Sequence, residues 1–336
     1  MMMRLPIFLN VVALHIPDGF LSVPVALLGL LIALIVLAYT LRQTRDLLGE
    51  RQIPMLGVMA AFVFAAQSIN FPVLGGTSGH LLGGALVAIV VGPWPAVLVM
   101  TVVAGLQALL FQDGGLLAIG WNIVNMAILA VLTGALTFGL LRRILGTARK
   151  NLIISTMVAA WISVVLSATA TGVELAASDP GLLAAVPAMA GIHAIIGLGE
   201  ALITGAAVIL IAKARPAILH HDQETSDFRT AYILAFGLII TLAVATFSVV
   251  SSTLPDGLER VALDYGFADR AVDPVLRFLP DYTLPGIEGN IGGVIVIIGG
   301  AILTSMIILL TGRLVRHRQS RRVASGESSR ISATGD

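Results

Sequence analysis

Apolar runs of membrane-spanning length recur along this chain and constrain its fold more than any other feature. They read as roughly 22–41, 54–70, 80–92, 95–112, 121–141, 152–173 and 187–212, with two more at 231–252 and 291–312. About 20 apolar residues in a helix cross the hydrocarbon core of a bilayer. Lipid offers the backbone no hydrogen-bond partners, so each run must satisfy itself as helix rather than open sheet. The 80–92 run is short and follows a glycine-rich stretch, and it reads as a partial or tilted helix. The expected fold is all-α: a polytopic membrane bundle of seven helices plus a two-helix C-terminal appendage. Only 12% of residues are charged, against about a quarter in an ordinary soluble domain. The net charge of +1 gives no reason to expect nucleic acid as a partner. With no cysteine in the chain, disulfides and thiolate metal sites are excluded.

Positive charge sets the orientation. Arg42, Arg45 and Arg51 follow the first helix; Arg142, Arg143, Arg149 and Lys150 the fifth; Lys213, Arg215 and Arg229 the seventh; Arg313, Arg316, Arg318, Arg321 and Arg322 the ninth. These are alternate loops, and they are expected in the cytoplasm. The mature N-terminus, the stretch Gly75–His80 and the acidic 254–290 loop are then outside, and the C-terminus is cytoplasmic. Residues 214–230 read as a cytoplasmic linker between a body at 14–213 and an appended pair at 231–318. The Ser/Arg-rich tail 319–336 reads as disordered.

Two polar stretches stand out against this background. Leu14-His15-Ile16-Pro17-Asp18-Gly19-Phe20-Leu21 precedes the first helix, and Gly75-Gly76-Thr77-Ser78-Gly79-His80 lies between later ones. Residues 1–13 resemble a compressed signal peptide, with Val11-Val12-Ala13 fitting a small-residue cleavage site. A translation start at Leu14 is a second reading, and both leave a free amine one residue before His15. In a third, the segment stays attached as a hydrophobic tail. An N-terminal X-His dipeptide chelates a metal through its amine, the deprotonated His amide and the imidazole. A second imidazole, from His80, completes a planar set of four nitrogens, which suits Ni(II) or Cu(II) better than Zn(II) or Mg(II). Thr77 and Ser78 are placed to orient His80 from the second shell. Asn70 and Asn122 lie near the outer helix ends, by the same site. A lone histidine at a membrane interface, however, is commonly just a hydrogen-bonded structural residue.

His15-Ile-Pro-Asp-Gly-Phe-Leu-Ser22 resembles the N-terminal signature of the CbiM/NikM family, the substrate-binding membrane subunits of cobalt and nickel energy-coupling-factor transporters. Gly75-Gly-Thr-Ser-Gly-His80-Leu-Leu-Gly83 is similar to that family's second metal-binding stretch. The resemblance covers about 14–213. It implies Ni2+ or Co2+ as transported substrate, with nickel favoured, bound by the amine and amide of residues 14 and 15 and the imidazoles of His15 and His80. It also implies a transmembrane coupling subunit and cytoplasmic ATPases as partners in a bacterial plasma membrane. The departure is the 1–13 extension, which must be removed to free the amine. Leu254-Pro-Asp-Gly-Leu-Glu259 is similar to the PDGLE domain, a two-helix partner of such subunits.

No G-x-x-x-x-G-K-[ST] sequence occurs and no nucleophile constellation emerges. The chain therefore reads as a transport subunit that borrows its energy rather than as an enzyme. Small residues spaced four apart, Gly29 with Ala33 and Ala61 with Ala65, permit close helix packing and are expected to receive the coupling subunit. The alternative is a stand-alone gradient-driven metal transporter or channel, with Glu200 and Asp113 as proton-linked residues. Asn125, His193 and Glu200 also sit in apolar runs, where polar groups usually face the bundle interior.

Overall fold

The computed structural model describes residues 15–47, 52–214, 227–273, 276, 278–279, 282–284, 286–287 and 290–333. The processing expected at 1–13, the amine of Leu14 and most of the linker, 215–226, lie outside the described residues.

The fold is a helical membrane bundle, as the apolar runs require. Its helices are α1 (Val23–Leu47), α2 (Gln52–Gln67), α3 (Gly84–Val91) and α4 (Pro93–Leu106), the last ending in a π-helical turn, Gln107–Phe111. Next come α5 (Ile119–Leu145), with a π segment at Ile123–Leu129, then α6 (Arg149–Ser178), α7 (Ala185–Ala214) and α8 (Asp227–Phe247). A short α9 (Gly257–Asp264) precedes α10 (Asn290–Ala333). Six of these are long and apolar enough to span a membrane, and α2 and the 237–250 stretch are shorter apolar helices.

The 80–92 run is a buried eight-residue helix, separated from α4 by Gly92 alone. Eight residues rise about 12 Å, too little to cross, so α3 and α4 together account for that part of the bundle. α10 runs on to Ala333, through the stretch whose composition predicted a disordered tail; no proline interrupts it there.

The core forms where α2, α3, α4 and α5 meet, around Phe64, Leu86, Val97, Met100, Phe111 and Val131, all buried. α6 pairs with α7 along most of their length, and α10 and α8 lie against α2. α1 turns Leu27, Leu31, Leu34 and Ile35 outward, as a helix facing lipid does. Its other face approaches α5 closely. A Cβ on Gly120 would overlap the Leu30 backbone nitrogen, and Gly29 lies under the Trp121 ring, whose indole N–H donates to the Val25 carbonyl at 2.6 Å. Gly29, Ala33, Ala61 and Ala65 are all buried within this one chain. These small residues are occupied by the chain's own helices rather than open to a coupling subunit.

Two elements do not show as apolar runs. Phe71–Val73 and Thr77–Gly79 form an antiparallel hairpin in the register Phe71↔Gly79, Pro72↔Ser78 and Val73↔Thr77. Gly75 and Gly76 supply the positive φ of its turn, 93° and 73°. α9 lies within the 254–290 loop and is capped by Asp256, whose carboxylate accepts the Glu259 backbone N–H at 2.7 Å. Asp256-Gly-Leu-Glu259 has the acid-x-x-Glu form of a helix start, a signal that apolar length does not register.

Candidate metal site

The stretch before α1 folds back onto the bundle because each of its polar groups finds a fixed partner there. Asp18 accepts the backbone N–H groups of Leu116, Leu117 and Ala118 at 3.0, 2.8 and 3.2 Å, which caps the entry to α5. Asn122, on the first turn of α5, brackets Ile16: its Oδ1 accepts the Ile16 N–H at 3.0 Å and its Nδ2 donates to the Ile16 carbonyl at 3.1 Å. Ile16 and Phe20 are buried, Phe20 edge-on to Phe267 with ring centres 5.0 Å apart. Gly19, at φ 92°, has no room for a side chain against the Arg270 carbonyl.

His15 is thereby fixed at 4% exposure. Its Nδ1 meets Asp113 Oδ1 at 2.6 Å, and its Nε2 is buried with no hydrogen-bond partner. Burial alone would raise the Asp113 carboxyl. The His15 ring beside it and hydrogen bonds from His15 and Tyr282 outweigh that and hold the carboxyl below its ordinary range. Asp113 is thus an acceptor, and Nδ1 carries the proton.

His80 follows the hairpin, and its ring centre lies 6.0 Å from that of His15, tilted by 47°. Its Nδ1 meets the Leu81 carbonyl at 3.1 Å. A carbonyl only accepts, so Nδ1 carries the proton of this hydrogen bond. The backbone beyond His80 is clamped by Glu200 on α7, which is fully buried. Its two oxygens accept the Leu82 and Gly83 N–H groups at 2.7 and 2.9 Å. Gln67 Nε2 donates to the Leu82 carbonyl at 2.8 Å.

A cavity of about 80 Å³ opens between the two imidazoles and α5, α6 and α7, with Asn125, Thr171, His193 and Asp256 on its wall. His193 donates from Nδ1 to the Met189 carbonyl at 2.9 Å. Asn125 donates to Thr171 Oγ1 and to Glu174 Oε2, at 3.1 and 2.9 Å. Asp256, at the mouth, is pushed up to about 7 by burial, against the hydrogen bond it accepts from Glu259. Among the described residues no group of three or more His, Asp or Glu side chains is gathered tightly enough to hold a metal by itself.

Not every expected site residue faces this cavity. Thr77 and Ser78 do not orient His80. Their hydroxyls donate to the carbonyls of Pro255 and Leu254 at 3.0 and 2.8 Å, and the Ser78 N–H donates to the Pro255 carbonyl at 2.8 Å. The 254–255 turn packs against this strand, and its carbonyls take both hydroxyls as well as the Ser78 N–H. Asn70 meets that loop through its backbone: its N–H donates to Ser251 Oγ at 2.8 Å and its carbonyl accepts the Ser252 N–H at 2.8 Å, while its side-chain Oδ1 is buried without a partner among the described residues. Asn122 holds the N-terminal stretch, as expected. The sequence marks Asp113 as a polar group near the membrane, proton-linked in the alternative reading but not paired with His15, and it assigns no part to Asp18 or Glu174. Their roles depend on long-range pairings that no local pattern encodes.

A multi-pass helical bundle that brings two imidazoles to one end, beside a buried carboxylate, belongs to the class of membrane metal-transport proteins. Residues 15–218 match the CbiM family, described as the cobalt uptake substrate-specific transmembrane region, and residues 231–317 match the PDGLE domain. The chain belongs to the CbiM family and carries a PDGLE domain behind it. It is 34% identical, over 91% of its length and 100% of the relative's, to a putative fused nickel transport protein NikMN of Archaeoglobus fulgidus. It is 29% identical, over 79% of its length and 82% of the relative's, to a cobalt transport protein CbiM of Geobacter sulfurreducens. A solved truncated transition-metal transporter superposes with a TM-score of 0.54 at 30% identity, covering 60% of this chain and 99% of that one.

Proposed function

We propose that this chain is the substrate-capture subunit of an energy-coupling-factor importer for Ni2+ or Co2+, with nickel favoured. The ion binds at the external face between the amine of Leu14, the amide and imidazole of His15, and the imidazole of His80. A transmembrane coupling subunit and cytoplasmic ATPases then drive its release inside. The observation that carries this reading is the convergence of His15 and His80 on one cavity, their ring centres 6.0 Å apart. The similarity to fused nickel transport proteins supports the nickel preference.

Two imidazoles bound side by side on one ion at about 2.0 Å would have centres about 4.5 Å apart. The observed 6.0 Å is open by a little more than an ångström, within reach of a small loop closure. The remaining donors come from the chain start, so the reading requires a mature chain that begins at Leu14. Intact-mass measurement of the membrane-inserted protein tests that requirement, and Ni2+ titration tests the ligands. A mass beginning at Leu14 is expected, with His15→Ala and His80→Ala each weakening binding by about 100-fold or more, at or beyond the upper range seen for supporting residues around metals. Unchanged Ni2+ binding in both variants would refute the site.

A further inference from the structure

His15 faces a choice between its two ring nitrogens, and the fold has committed one of them. In a chelate that uses both the amide and the imidazole of one histidine, the ring closes through N, Cα, Cβ, Cγ and Nδ1. The far nitrogen, Nε2, points away from its own backbone and cannot close it. Yet Nδ1 is the nitrogen bonded to Asp113, at 2.6 Å. In this conformation, therefore, that chelate is blocked.

The blocking carboxylate is held from the appended domain. Tyr282, in the external 254–290 loop, donates its hydroxyl to Asp113 Oδ2 at 2.8 Å and accepts from Gln107 Nε2 at 3.2 Å. Its ring stacks on Phe111, centres 4.9 Å apart and 15° from parallel. The same loop grips the turn that carries Asp113 at two more points. Gln112 Nε2 donates to the Leu276 carbonyl at 2.6 Å, and the Leu279 N–H donates to the Leu110 carbonyl at 3.1 Å. Tyr282 and Gln112 both adopt left-handed backbone, φ 56° and 59°, a conformation that costs a non-glycine residue energy and persists where the surroundings impose it.

We propose that Asp113, positioned by Tyr282, is a latch on His15 Nδ1 that the incoming divalent ion must open. On capture the ring releases Asp113. Its proton passes from Nδ1 to Nε2 and stays on the imidazole, the His15 amide gives its proton to solvent water as that nitrogen binds the ion, and the ion takes the Nδ1 lone pair. Asp113 keeps its negative charge and the Tyr282 hydrogen bond. An ion that bonds imidazole weakly gains too little to displace a charge-assisted hydrogen bond, so the latch favours ions late in the first transition row over Mg2+ or Mn2+. Asp113 is a positioning residue in this role, and the latch rests on the proposed four-nitrogen site.

The test is the rate of Ni2+ capture by the full-length protein in lipid nanodiscs, followed by stopped-flow through the visible band of the planar nickel site. Wild type, His80→Ala, Asp113→Asn and Tyr282→Phe are compared. Tyr282→Phe keeps the ring and its stacking and removes only the hydroxyl. Capture is expected to accelerate about tenfold in Asp113→Asn and about threefold in Tyr282→Phe, the size of losing or weakening one charge-assisted hydrogen bond. A folding defect does not speed capture, so faster uptake in both variants supports the latch. Equal or slower capture in either variant overturns it; slower capture in Asp113→Asn would make Asp113 a support for bound metal instead. Failure of the four-nitrogen site itself shows separately, as wild type without the nickel band or as His80→Ala binding like wild type.

Discussion

At the residue scale, the site is held by carboxylates that stand outside the proposed ligand set. Glu200 is the clearest case. It accepts two backbone N–H groups at the start of α3 and so fixes the strand-to-helix link that carries His80. Glu200→Gln preserves shape but replaces one acceptor with a donor that faces an N–H. A buried group left unsatisfied costs about 1–3 kcal/mol. The expected outcome is a drop of several degrees in thermal midpoint in detergent and about tenfold weaker Ni2+ binding, read by thermal unfolding and titration. If midpoint and affinity both match wild type, the clamp has no such role. Glu174 differs, because one of its oxygens has no partner in the fold while both of Glu200's are used.

At the element scale, the appended domain reaches the site through short pieces rather than through its long helices. The hairpin donates to the 254–255 turn, and α9 begins at Asp256 on the cavity wall. Burial raises Asp256 to about 7, from an ordinary value of 3.8. The folded state therefore holds that proton more tightly than the unfolded one. Docking of α9 is strongest below about pH 4, weakens as pH rises toward 7, and levels off above it. Metal binding runs the other way, because acid protonates the imidazoles, so the readout must exclude metal. Hydrogen exchange of residues 257–264 in metal-free protein is expected to quicken from pH 5 to 7, after correction for intrinsic exchange rates. In Asp256→Asn, which mimics the protonated acid, that pH dependence should shrink, with Glu259, also raised by burial, supplying what remains. An undiminished dependence in the variant would assign it to another group.

At the scale of the whole molecule, the orientation proposed from charge can be checked cleanly because the chain has no cysteine. Leu74, at the hairpin tip, and Ile144, at the end of α5, are both well exposed, 82% and 68%. Leu74→Cys is expected to react with a membrane-impermeant maleimide on intact cells, and Ile144→Cys only after permeabilisation; the reverse pattern would invert the topology. Much of this protein was legible in its sequence. Most span positions follow from apolar length, since lipid forces such runs into helix, although the 80–92 run is a buried helix too short to cross. The pairing of His15 with His80 was readable because the charge pattern assigns both motifs to the same side, and their rings do meet, 6.0 Å apart. What sequence could not supply was the identity of each polar partner. Thr77 and Ser78 bond the appended loop because its 254–255 turn packs against their strand, and the Asn70 backbone joins the same loop. The Asp113 contact with His15 joins residues 98 apart, and Tyr282 is more distant still. Local pattern fixes which segments enter the bilayer, because solvation acts on each segment separately. Only the packed tertiary structure decides which nitrogen meets which carboxylate, because a hydrogen bond depends on ångström-scale placement that several helices set together.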